Sequence, residues 1–122
     1  MHTSSSTLIL CLCAQWCGTC REYYATFMSQ ASLFPNMQFQ WLDIEEKSEW
    51  IENLEIEDFP TLLIYCNEKH NILFYGTLLP HAQHLTRLLK AIQAQKLFTI
   101  AYIIPSDVDQ TRLHQLGQRF FL

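Results

Sequence analysis

The hydrophobic pattern changes period several times along the chain, and each change marks an element. Thr7 to Ala14 (Thr-Leu-Ile-Leu-Cys-Leu-Cys-Ala) is continuously apolar, which predicts a strand covered on both faces, as in a parallel sheet. From Gly18 onward Tyr23, Tyr24, Phe27, Met28 and Ala31 fall at helical spacing, and Pro35-Asn36 supplies the break. Met37 to Ile44 opens with alternation and reads as a second strand. Glu46 to Leu54 places Trp50, Ile51 and Leu54 on one face of a short helix. Thr61 to Cys66 predicts a third strand, Asn67 to Asn71 a turn, and Ile72 to Tyr75 a fourth strand, antiparallel by hairpin logic. Leu85, Leu88, Leu89 and Ile92 mark an amphipathic helix from about His81 to Gln95.

The resulting order is βαβαββα. Strand–helix–strand units with right-handed crossovers give an α/β fold, a mixed four-stranded sheet flanked by helices. A C-terminal strand/helix extension follows. Leu97 to Ile104 has strand composition, Pro105 stops it, and Asp107 to Phe121 fits one more helix. The chain therefore reads as a domain over residues 7–96 and an extension over 97–122. The extension is expected on the sheet edge or on a partner, with a homodimer as one form of that pairing.

With 122 residues, 49% of them hydrophobic and 16% charged, the chain has the make-up of one folded domain. The net charge of −4 argues against nucleic acid as a partner, because phosphate binding needs a basic surface. No apolar stretch approaches the roughly 20 residues that span a bilayer, so no membrane partner is expected. A signal peptide needs a basic leader, and no Lys or Arg precedes Arg21. Five cysteines, four of them between positions 11 and 20, form an odd and clustered set. A disulfide-stapled secreted domain spreads an even number instead, so the expected location is cytoplasmic. Eight of the twelve acids lie between Asp43 and Asp58, whereas His81 to Leu122 carries five basic residues against two acids. Solvated helix faces account for this asymmetry, or the acidic segment selects which partner docks.

Cys17-Gly18-Thr19-Cys20 lies where the first strand gives way to the first helix. A thiol at a helix N-terminus faces unpaired backbone N–H groups and the positive end of the helix dipole. Both favour the thiolate of Cys17, the nucleophilic form, and bring such thiols to pKa values of roughly 3.5–7.5. Cys20, one turn further in, is placed to attack a mixed disulfide at Cys17 and release the partner. Gly18 leaves room for a docking substrate, and Thr19 is the spacer that tunes the reduction potential. The rival reading is half a zinc site, which needs a second pair of ligands from Cys11, Cys13, Cys66 or the histidines. Cys11 and Cys13 lie two apart in a strand, share one face and are expected in the core. A cluster using Cys11, Cys13, Cys17 and Cys20 would require that strand to unravel. Neither a metal nor another cofactor is expected.

Ala14-Gln15-Trp16-Cys17-Gly18-Thr19-Cys20-Arg21 resembles the active-site segment of thioredoxins, typically Ala-x-Trp-Cys-Gly-Pro-Cys-Lys. Phe59-Pro60-Thr61-Leu62-Leu63 is similar to the family's Ile/Val-Pro-Thr strand entry, and Trp41-Leu42-Asp43-Ile44-Glu45 to its strand ending in an acidic turn. Gly76 falls at the spacing of the family's glycine near the end of the last strand. The resemblance covers roughly residues 8 to 95 and implies a thioredoxin-like fold. It also implies that Cys17 attacks and Cys20 resolves, and that Trp16 packs over the site. Pro60 would be a cis proline facing the cysteines, leaving the Phe59 backbone to pair with an extended substrate strand. With Gly76 these residues would form the substrate-binding surface.

Two departures from the family stand out. Thioredoxins keep a buried acid six residues before the first cysteine, where this chain has Cys11, and the family's nearby lysine corresponds to Trp41. Family members usually begin with an extra strand and helix, whereas this sequence is expected to start almost directly at the central strand. The expected function is a thiol–disulfide oxidoreductase acting on protein disulfides, served by a thioredoxin-reductase-type electron donor. The alternatives are a non-catalytic thioredoxin-fold adaptor and a metal-binding module. Cys11 or Cys13 taking part in the chemistry is a further variant of the redox reading.

Overall fold

A computed structural model of the chain describes residues 7–14, 18–45, 60–78, 81–94 and 110–121. The elements are β1 (Thr7–Cys13), α1 (Gly18–Leu33), β2 (Gln38–Asp43), β3 (Thr61–Cys66), β4 (Asn71–Thr77), α2 (Ala82–Gln93) and α3 (Gln110–Phe120). The strands form one mixed sheet in the order β2-β1-β3-β4. β1 runs parallel to β2, and β3 is antiparallel to both β1 and β4. This is the mixed four-stranded sheet expected from the sequence. The expected helix over 46–54 and the expected strand over 97–104 lie outside the described residues.

Every residue of β1 and β3 is buried, because helices cover the sheet on both faces. Alternation divides the side chains. Ile9, Cys11 and Cys13 join Leu62, Ile64 and Cys66 in one core cluster, together with Tyr23 and Phe27 of α1 and Leu85 and Leu89 of α2. Leu8, Leu10 and Leu12 join Leu63 and Tyr65 on the opposite face, under Leu113 and Leu116 of α3. In β4 the register shifts between Ile64 and Tyr65 of its partner, which inserts Leu73 as an extra residue. The bulge lets Leu73 and Phe74 both face the first cluster, while Ile72 and Tyr75 face the second.

The apolar stripe of α1 is narrower than its sequence suggests. Tyr23 and Phe27 are buried, but Tyr24 and Met28 are exposed and Ala31 is half-buried. Gln30 occupies the buried stripe instead, and the Thr86 hydroxyl of α2 donates to its Oε1 at 2.8 Å. That pair satisfies a buried amide and ties the two helices together. On the other face α3 lies close to the strands: a Cβ on Gly117 would come within 3.0 Å of three atoms of the Tyr65 ring.

Candidate active site

The C-terminal end of β1 meets the first turn of α1 at a pair of sulfurs. Cys13 is the last residue of β1 and Cys20 the third of α1. They form a disulfide with Cα atoms 5.8 Å apart, within the ordinary span of such bridges. Each is 1% exposed. Cys11 shares their face of the sheet, and its Sγ lies 3.8 Å from that of Cys13. Cys11 remains a free, buried thiol.

Desolvation drives the Cys11 thiol far above its ordinary pKa, so it stays neutral at physiological pH. The buried Tyr23 hydroxyl has no hydrogen-bond partner among the described residues. Burial first, and the proximity of Cys11 second, push its pKa upward as well. Neither group can accept a proton near neutrality. Cys11 also stands in a row that crosses the whole sheet: Trp41 pairs with Cys11, Cys11 with Leu62, and Leu62 with Gly76. Half-buried Trp41 packs edge-on against Tyr24 and Phe27, with ring centroids 4.9 and 5.7 Å away. The core behind the disulfide is thus aromatic and uncharged at this row.

The β1–β3 pairing ends at Leu12 and Thr61. Continuing that register by one residue sets Pro60 opposite Cys13, so the buried proline belongs to the same end of the sheet as the disulfide. Gly76 is half-buried two rows further in, in the Cys11 row, where an added Cβ would meet the Phe74 ring at 3.6 Å. Gly18 and Thr19 are exposed as the first residues of α1, with Cys20 buried beneath them. Trp16, Cys17 and Phe59 lie outside the described residues. The sequence pairs Cys20 with Cys17 through the motif, whereas the bond in the structure joins Cys20 to Cys13. Nothing in a linear motif reports that contact. Its one trace is that Cys13 ends a strand on the face that α1 covers, seven residues before Cys20.

A family model described as Thioredoxin matches residues 1–94. A thioredoxin H-type of Oryza sativa subsp. indica is 33% identical over 60 residues, 49% of this chain and 49% of that protein. A thioredoxin of Geodia cydonium is 32% identical over 56 residues, 46% of this chain and 53% of its own length. The chain thus spans about half the length of the curated relatives it matches. Among solved structures, thioredoxin from Trypanosoma brucei brucei superimposes with a TM-score of 0.64 at 20% identity, over 76% of this chain and 80% of that one.

Proposed function

Because the chain belongs to the thioredoxin family, we propose that it is a thiol–disulfide oxidoreductase that reduces or relays protein disulfides through Cys17 and Cys20. The observation that carries this reading is the state of Cys20. Its sulfur is held in a disulfide in the first turn of a helix that begins directly after Cys17 in the sequence. In the reaction, the Cys17 thiolate attacks a substrate disulfide, forms a mixed disulfide and releases one substrate thiolate. Cys20 then loses its proton and attacks the Cys17 sulfur, which releases the second substrate thiol and leaves the chain oxidised by two electrons. Trp16 flanks the site, Gly18 and Thr19 shape the approach, and Gly76 adds to the substrate surface. Phe59, ahead of a cis Pro60, pairs with an extended substrate strand.

An electron donor of the thioredoxin-reductase type would return the pair to dithiol. The clustered, odd cysteine set supports a reducing compartment, the cytoplasm. Among the described residues no helix is long and apolar enough to cross a membrane. The family match ends at residue 94, which supports a division into a 7–96 domain and a 97–122 extension. Homodimerisation through that extension is tested by the mass of the full chain in light scattering.

The test of the activity is trapping. Full-length Cys20→Ser protein is expected to accumulate covalent protein adducts that dithiothreitol releases and that Cys17→Ser/Cys20→Ser protein lacks. Absence of such adducts would move the reading to a non-catalytic adaptor.

A further inference from the structure

We propose that Cys13 is a second partner for Cys20, so that oxidation received by the Cys17/Cys20 pair passes to a buried Cys13–Cys20 disulfide and leaves Cys17 as a thiol. This rests on the oxidoreductase reading for the part played by Cys17. The sulfur of Cys20 has two candidate partners: Cys17, three residues before it in the motif, and Cys13, to which the structure bonds it.

The exchange balances without any external reagent. The Cys13 thiol gives up its proton to solvent and its sulfur bonds to Cys20. The Cys17–Cys20 bond breaks, and its electron pair departs on the Cys17 sulfur. One disulfide is broken and one made, with no net oxidation. Two features favour this direction. A thiol of lowered pKa is the better leaving group, and Cys17 is the cysteine that directly precedes a helix. A disulfide is also uncharged and has no proton to donate, so it suits the apolar cluster around Cys13 and Cys20. Cys11, whose sulfur is 3.8 Å from that of Cys13, stays a free thiol while Cys13 holds the bond to Cys20.

The consequence is a change of role on oxidation. The reduced chain releases its substrate when Cys20 resolves the mixed disulfide. In the oxidised chain Cys20 is already engaged, so a second disulfide attacked by Cys17 stays attached. The chain becomes a covalent trap for disulfide-bearing proteins once it has turned over.

Cleavage after Trp16 provides the assay, since it separates Cys11 and Cys13 from Cys17 and Cys20. Reduced full-length protein is treated with one equivalent of oxidised glutathione, sampled over time, quenched in acid, alkylated, cut with chymotrypsin and mapped by mass spectrometry. The expected result is an early Cys17–Cys20 bond within one fragment, followed by a Cys13–Cys20 bond linking two fragments, with Cys17 alkylated. A further equivalent then leaves one glutathione on Cys17. Cys17→Ser protein is expected to form the linked fragments about tenfold more slowly, having lost its entry thiol. Cys13→Ser protein is expected to keep its bond inside one fragment. If oxidised protein holds only Cys17–Cys20, with Cys13 alkylated, the inference is overturned while disulfide exchange stands. If no bond forms among Cys13, Cys17 and Cys20, both readings fall.

Discussion

Cys11 of β1 and Trp41 of β2 are register partners across the parallel pairing, and both face the core that contains Cys20. In the resemblance to thioredoxins these are the places of a buried acid and its nearby lysine. Here a thiol held neutral and an indole stand in those places, and Tyr23 beside them cannot accept a proton near neutrality.

The first expectation concerns the release of a mixed disulfide. With no internal base among the described residues of this row, Cys20 is expected to lose its proton to solvent or hydroxide. Its attack rate should then follow its thiolate fraction, rising about tenfold per pH unit below the thiol pKa. Stopped-flow measurement of substrate release between pH 6.5 and 8 checks this. A plateau already reached at pH 7 would show that another group accepts the proton.

Alkaline stability reports on Cys11 itself. Its folded-state pKa is raised by burial above the value of about 8.5 for a free thiol. The folded state therefore binds more protons than the unfolded one above that pH, and stability present below it is lost as pH rises. The contribution of Cys11 is about 1.4 kcal/mol per pH unit. Urea midpoints of reduced protein at pH 8 and 10 should fall less steeply for Cys11→Ala than for the unaltered chain. Tyr23 and Tyr75, raised in the same direction, add their own decline at higher pH in both proteins.

The link between α1 and α2 is open to a double-mutant cycle. Thr86→Val removes the donor to Gln30 Oε1 and leaves a buried amide unsatisfied, at a cost of about 1–3 kcal/mol. Combining it with Gln30→Leu should cost less than the sum of the two single changes. Strict additivity in urea unfolding would mean that the contact contributes nothing.

Gly117→Ala tests the close approach of α3 to the sheet. The added methyl meets the Tyr65 ring, so helix or ring must shift, at about 1–3 kcal/mol. A rise in stability, as expected for Gly to Ala in an open helix, would show that α3 does not rest on Tyr65.

Much of this architecture is legible in the chain, for reasons that differ by element. β3 is found at Thr61–Cys66 because a β-rich apolar run lies between a proline and a polar turn. α1 starts at Gly18, where the periodicity changes from that of a covered strand to that of a helix. The inward face of α1 departs from its apolar spacing because Gln30 is polar yet buried. Its partner, Thr86, lies 56 residues away, beyond what local periodicity reports. The bulge at Leu73 is hidden in the same way, because Ile72 to Tyr75 is apolar at every position. The Cys13–Cys20 bond depends on how β1 hands over to α1 in space, which spacing alone does not encode.

Disulfide exchange through Cys17 is read out by protein-disulfide reduction. Full-length protein, with dithiothreitol as donor and insulin as the disulfide substrate, is expected to reduce insulin faster than dithiothreitol alone. Cys17→Ser protein is expected to fall back to the rate of dithiothreitol alone while retaining its fold by circular dichroism. A folded Cys17→Ser protein as fast as the unaltered chain, or an unaltered chain no faster than dithiothreitol, would mean that Cys17 does not exchange disulfides.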